Sequence, residues 1–215
     1  MATGRGKHSK KEDPPDVKLS KFLSYICRHG AEKEGIPIRD GGFLNVHEVL
    51  SKSREQYSKE DVERVVAQCS KQRFALRNDP ITGSLQIRAN QGHTIPVDDL
   101  ELTPIVDANG TPMVVHGTYR AAWNSIKLKG LSRMQRNHIH FSPGLPGESG
   151  VISGMRSSCE ILIFIDLPKA LAGGLKFFRS ANNVILSPGN HEGIIPPEYF
   201  AEVREHSSGK VIAVY

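Results

Sequence analysis

RFALRNDPITGSLQIRANQGHT, Arg73–Thr94, sets the architecture of the first half of this chain. Phe74 and Leu76 recur at the two-residue period of a half-buried strand, and Leu85 and Ile87 do the same in SLQIR. The NDPITG between them gathers Asn, Asp, Pro and Gly, residues that turn a chain back on itself, so the two runs predict a β-hairpin. Arg88 closes the second strand, and Asn90-Gln91-Gly92-His93 follows as a dense polar turn.

Upstream of the hairpin the pattern is helical. Leu19, Phe22, Leu23 and Ile26 fall at i, i+3, i+4 and i+7, with Gly30 as the expected C′ stop. VHEVLSKS predicts a short helix that uses Val46, Val49 and Leu50. Ser58-Lys-Glu-Asp61 reads as a helix start ahead of Val62, Val65, Val66 and Cys69. Three helices and a hairpin predict a winged-helix-like lobe over residues 17–94. A DNA reader of that shape needs a basic third helix. Here that helix mixes Lys59 and Arg64 with Glu60, Asp61 and Glu63, which argues against it.

Downstream, residues 95–112 carry three prolines and read as a connector. Short strands with glycine and proline punctuation then follow: MVVHGT, HIHFS, CEILIFIDL, LKFFR and NVILSPG, with one helix at YRAAWNSIKLKG. This pattern predicts an α+β unit on antiparallel strands over residues 113–205, with a tail at 206–215. Residues 1–16 read as a disordered, charged head.

The chain has 215 residues, enough for one large or two small domains, and a formal charge of +5 that suits a nucleic-acid or phosphate partner without requiring one. Cys27, Cys69 and Cys159 lie far apart, which argues for a reducing compartment and against a disulfide framework or a cysteine zinc site. No apolar run approaches the roughly 20 residues that span a bilayer, and the N-terminus lacks a secretory pattern, so an intracellular protein, cytoplasmic or nuclear, is expected.

P-loop, Rossmann, zinc-protease and nucleophile-elbow motifs are missing from the sequence. What stands out is a scatter of arginines and histidines. Arg28-His29 by itself reads first as a cationic helix end and only second as half of an anion site. His29 continues the buried stripe of Ile26, and Arg28 lies on its flank. His116 precedes Gly117 and Thr118 at a strand end, where a missing side chain allows close approach of a ligand. His138 and His140 project to one face of a strand, but no third ligand lies at metal-site spacing. The loop Gly144–Ser157, with glycines at 144, 147, 150 and 154, offers backbone N–H groups to a nucleotide and delivers Arg156.

Taken in order, LSKFLSYICRHG, KQRFALR with IRANQGH, VVHGT, HIHFSPGLPG, SGMRS and FFRSANNVILSPGN resemble the signature segments of the tRNA 2′-phosphotransferase family, over about residues 17–200. The resemblance implies a winged-helix lobe followed by an ADP-ribosyltransferase-like lobe that binds NAD as a consumed co-substrate. The implied reaction transfers an internal 2′-phosphate of spliced tRNA to NAD through an ADP-ribosylated RNA phosphate. The implied products are 2′-OH RNA, nicotinamide and ADP-ribose 1″,2″-cyclic phosphate. Carried over by motif, Arg28, His29, Arg88 and Arg156 form the expected active-site set. His116, Gly117, Thr118, His140, Ser142, Gly150 and Gly154 are the expected NAD contacts, and no metal is implied. Many ADP-ribosyltransferases set a glutamate against the ribose; Glu148 and Glu160 are the nearest candidates here, and neither is an obvious counterpart. ADP-ribosylation of a terminal nucleic-acid phosphate or a protein, and a non-catalytic winged-helix module, are the alternatives. A monomer is expected.

Overall fold

The computed structural model describes residues 12–148 and 150–215; the expected head lies largely outside them. Helix α1 (Pro15–Tyr25) opens on a proline, whose missing N–H is no loss in a first turn, and it buries Leu19 and Leu23. Ile26–Gly30 then widens into a π-turn, with the Ala31 N–H reaching back to the Ile26 carbonyl at 3.1 Å. Gly30 is therefore not a left-handed stop, because the backbone stays right-handed through Ala31 at φ −54. A Cβ on Gly30 would stand 2.6 Å from the Tyr25 ring, so the glycine makes room for that ring. The wider turn also rotates His29 off the buried stripe: Ile26 and Cys27 are buried, Arg28 is half-buried and His29 is exposed.

Strand β1 (Leu44–Asn45) leads into α2 (Val46–Leu50), whose first N–H groups are capped by the Asn45 side chain. Helix α3 (Lys59–Ala67) begins with the reciprocal Ser58–Asp61 capping box and buries Val62 and Val65. Its Arg64 is taken up by Asp16 and Asp61. Strands β2 (Phe74–Asn78) and β3 (Leu85–Ala89) form the expected antiparallel hairpin, from Phe74 opposite Ala89 to Asn78 opposite Leu85. With β1 they make a sheet in the order β1-β3-β2. One core, drawn only from Leu19 to Ile95, fills this half.

The expected connector contributes β4 (Leu102–Ile105), an edge strand, which is where a sheet tolerates a proline such as Pro104. Then come β5 (Val115–Thr118), α4 (Arg120–Lys129), β6 (Leu131–Ser132), β7 (Ile139–Phe141), β8 (Ile161–Ile165) and α5 (Leu167–Ala172). The last strands are β9 (Phe177–Ser180), β10 (Ile185–Ser187), β11 (Ile194–Ile195), β12 (Phe200–Glu205) and β13 (Val211–Val214), the last within the expected tail. Two four-stranded antiparallel sheets, β4-β9-β10-β7 and β13-β12-β8-β5, meet where Val115 bridges Ser142, and β6 pairs β11 beside them. Their core runs from Ile105 to Val203 around Phe141, Phe177 and Phe200. The chain is thus α+β, with one main core in each half and a small separate cluster of Val115, Cys159 and Leu162 in the second.

Few direct bonds join the halves. Asn137 donates its backbone N–H to the His93 carbonyl and its side-chain amide to the Ile95 carbonyl, both at 3.0 Å. Asn182 donates to the Lys71 carbonyl at 3.0 Å. The three cysteines are free. Among the described residues no helix is long and apolar enough to cross a membrane.

Candidate active site

Two adjoining cavities open where the halves meet. The smaller, about 300 Å³, is lined by Arg28, Lys71, Arg73 and Gln91 from the first half. The second half completes it with His116–Tyr119, Arg136, His140 and Ser153–Arg156. The larger, about 1220 Å³, runs under α4 and the Gly130–Arg136 loop, with His29, Thr94 and His138–His140 in its wall. His116, Arg136 and His140 belong to both.

Five cations line the smaller cavity, and among the described residues no carboxylate does. Arg28 is brought there by the π-turn, and its carbonyl is tied to the post-hairpin turn by the Thr94 N–H at 2.9 Å. Gly92, at φ +92, packs against that guanidinium; a Cβ there would lie 3.3 Å from Arg28 Nε, itself buried without a partner. Burial, then the neighbouring Arg136 and Arg73, push Arg28 down to about 10, so it stays charged at neutral pH. Arg156 arrives from the glycine-rich loop and lies beside Tyr119, whose acidity is raised by a hydrogen bond to Ser158 and then by Arg156.

His29 lines the larger cavity, with Nδ1 2.9 Å from Thr94 Oγ1. The Thr94 hydroxyl in turn reaches the Arg28 carbonyl at 3.4 Å. Both contacts are hydrogen bonds when Nδ1 carries the proton, which leaves the Nε2 lone pair free. Burial, then Arg28 and Arg136, hold His29 below its ordinary value, so it is neutral at pH 7. His116 Nδ1 contacts the His140 carbonyl at 2.9 Å, which fixes its ring. His140 is pushed down to about 3 by burial, then Arg136. Its Nε2 is buried without a protein partner, as is Ser142 Oγ.

Among the expected site residues the cleft gathers Arg28, His29, Arg156, His116, Gly117, Thr118, His140 and Gly154. Ser142 lies fully buried behind β7, and Gly150 is an exposed loop residue whose carbonyl accepts from Asn183. Arg88 is not among the lining residues. The residue is 4% exposed, and its guanidinium pairs with Glu101 at 2.5 Å, donates to the Gly41 carbonyl at 3.3 Å and stacks on Phe43. The arginine at the cleft is instead Arg73, together with Lys71 and Arg136, three cations the sequence reading passed over. Arg73 lies inside the quoted KQRFALR, and its position at the open end of the hairpin beside Asn90 was the available signal. Neither glutamate reaches the cleft: Glu160 caps α4 at the Arg120 N–H, and Glu148 accepts from the Leu145 N–H. Among the described residues no three His, Cys, Asp or Glu side chains gather to hold a metal ion.

A family model described as RNA 2′-phosphotransferase, Tpt1/KptA family, matches residues 14–189. A Bos taurus protein named tRNA 2′-phosphotransferase 1 is 54% identical over 203 residues, covering 93% of this chain and 80% of the relative. The Saccharomyces cerevisiae tRNA 2′-phosphotransferase is 42% identical over 82% of this chain and 80% of its own. A probable RNA 2′-phosphotransferase of Trichormus variabilis is 35% identical over 87% of this chain and 97% of its own.

Proposed function

The chain belongs to the RNA 2′-phosphotransferase (Tpt1/KptA) family, and from that membership we propose that it removes the internal 2′-phosphate of spliced tRNA by transfer to NAD. The observation that carries this reading is the carboxylate-free wall of Arg28, Lys71, Arg73, Arg136 and Arg156. A phosphomonoester carries roughly −1.5 to −2 charge with three acceptor oxygens. Arginine forks match that geometry, each charge-assisted bond contributing on the order of 1.5–3 kcal/mol. The clamp is therefore Arg28, Arg73 and Arg156, with Arg73 in the role the motif match lent to Arg88.

The larger cavity, together with the His116–Thr118 and Gly154 edge of the smaller one that adjoins it, suits a dinucleotide. The orphaned His140 Nε2 is a buried polar atom of the shared wall that wants a partner, whereas the orphaned Ser142 Oγ lies behind that wall and lines neither cavity. Gly117 and Gly154 line the smaller cavity and are packed tightly from the protein side: a Cβ would fall 2.9 Å from Cys159 Sγ at the first and 2.8 Å from the Phe141 carbonyl at the second. His116, Gly117, Thr118, His140 and Gly154 would hold NAD, with Ser142 behind them. When bound, NAD supplies an electrophilic ribose carbon with nicotinamide as its leaving group. The clamp orients the phosphate, which needs no base because it is already an anion. His29, held by Thr94, is available to take a proton at Nε2 from a hydroxyl nucleophile, and its neutrality at pH 7 suits that task. In this reading the first half is a winged-helix-like lobe and the second an ADP-ribosyltransferase-like lobe, acting as a monomer.

The test is to incubate the protein with a 2′-phosphorylated oligonucleotide and NAD while following nicotinamide release and RNA phosphate. Stoichiometric loss of phosphate with nicotinamide release is expected. Nicotinamide release with an accumulating RNA adduct instead marks simple ADP-ribosylation, and no phosphate loss by folded protein refutes the reading.

A further inference from the structure

The turn that brings Lys71 and Arg73 to the cleft is kept in an unfavourable backbone shape by two buried amides, one from each half of the chain. Gln72 between them has φ 44, in the left-handed region that residues other than glycine avoid. Its carbonyl accepts from Asn90 Nδ2 at 2.7 Å, and the Lys71 carbonyl before it accepts from Asn182 Nδ2 at 3.0 Å. The Asn90 N–H also donates to the Arg73 carbonyl at 2.8 Å. Asn182 is 1% exposed and lines neither cavity. Its Oδ1 accepts from Ser180 Oγ at 2.9 Å, which turns Nδ2 toward Lys71. The Ser180–Val184 turn is already closed by the Ser180 N–H on the Val184 carbonyl, so the amide reaching from 182 to 71 is not needed by its own half.

We propose that Asn182 is a positioning residue for the phosphate clamp. By holding the Lys71 carbonyl it keeps Gln72 left-handed, and the direction of that peptide sets where Lys71 and Arg73 reach. Lys71 and Arg73 are then in place only when the second half is docked, which couples these cations of the first half to the integrity of the other. Without this bond, Gln72 relaxes to negative φ and the two cations leave their positions. The inference rests on reading the cleft as the 2′-phosphate site.

The experiment measures binding of 2′-phosphorylated and 2′-hydroxyl oligonucleotides without NAD, beside thermal unfolding and steady-state kinetics with NAD. Asn182→Ala should fold, weaken binding of the phosphorylated oligonucleotide about tenfold and raise KM more than it lowers kcat. Adding Gln72→Gly should recover most of that loss, because glycine takes the left-handed shape without penalty. If Asn182→Ala does not fold, Asn182→Asp replaces it, since it keeps the size and the Ser180 contact but cannot donate to Lys71. Binding equal to wild type, or a loss that Gln72→Gly does not repair, overturns the inference alone. Wild-type protein that binds both oligonucleotides equally overturns the reading of the cleft and the inference with it.

Discussion

Arg73 and Arg88 sit at the same open end of one hairpin and do different work. Arg73 faces a cation-lined cavity, whereas Arg88 is folded between Glu101, Phe43 and the Gly41 carbonyl. Arg73→Ala should therefore lower activity by at least a hundredfold and leave stability within about 0.5 kcal/mol. Arg88→Ala should cost about 2 kcal/mol of stability through lost packing. Urea unfolding beside the phosphate-release assay separates the two, and the reverse pattern would return the clamp to Arg88. Period-two alternation places Arg88 on its strand and Arg73 just before the other, but not the neighbour each one meets, so the motif alone does not tell which of the two lines the cleft.

His93 extends the residue scale to pH. It is 2% exposed, and burial, then Arg28 and the nearby histidines, push it from 6.5 down to about 4. Between those values the unfolded chain binds a proton at this position that the folded chain does not, so stability falls as pH drops through the window. The contribution lost by pH 4 is about 3 kcal/mol. His93→Gln should flatten the dependence of unfolding free energy on pH between 6.5 and 4, and an unchanged slope would count against it.

Among elements, the glycine-rich loop has the strictest demand. Gly154 stands at φ +125, and a Cβ there would lie 2.8 Å from both the Phe141 carbonyl and Ser142 Cα, which are backbone and cannot swing aside. Gly154→Ala should displace the loop that carries Arg156 and lower activity well beyond its effect on the unfolding midpoint. By contrast, Ser58→Ala removes half of a capping box far from the cleft and should cost about 1 kcal/mol with activity unchanged. That box was legible in Ser58-Lys-Glu-Asp61, as the hairpin was in NDPITG, because caps and turns are local chemistry. The π-turn was not legible, because a helical stripe does not reveal that the Arg28 carbonyl in its last turn accepts from the distant Thr94 N–H.

At the scale of the molecule, the cation wall takes Arg28, Lys71 and Arg73 from one core's elements and Arg136 and Arg156 from the other's. RNA binding should weaken steeply with salt, with a log–log slope of about 0.7 per neutralised phosphate on a single strand. Lys71→Ala should lower that slope by about 0.7 without abolishing binding, as titrations across a salt series will read. The three helices, the hairpin, most strands of the second half and the family are legible without coordinates, because they rest on periodicity, turn residues and motif order along the chain. That Arg73 rather than Arg88 lines the cleft, that His29 leaves the core and that β4 and β13 complete the sheets follows from long-range packing alone. Each of those outcomes depends on which distant segment comes to lie beside a residue, and packing, not local pattern, sets that.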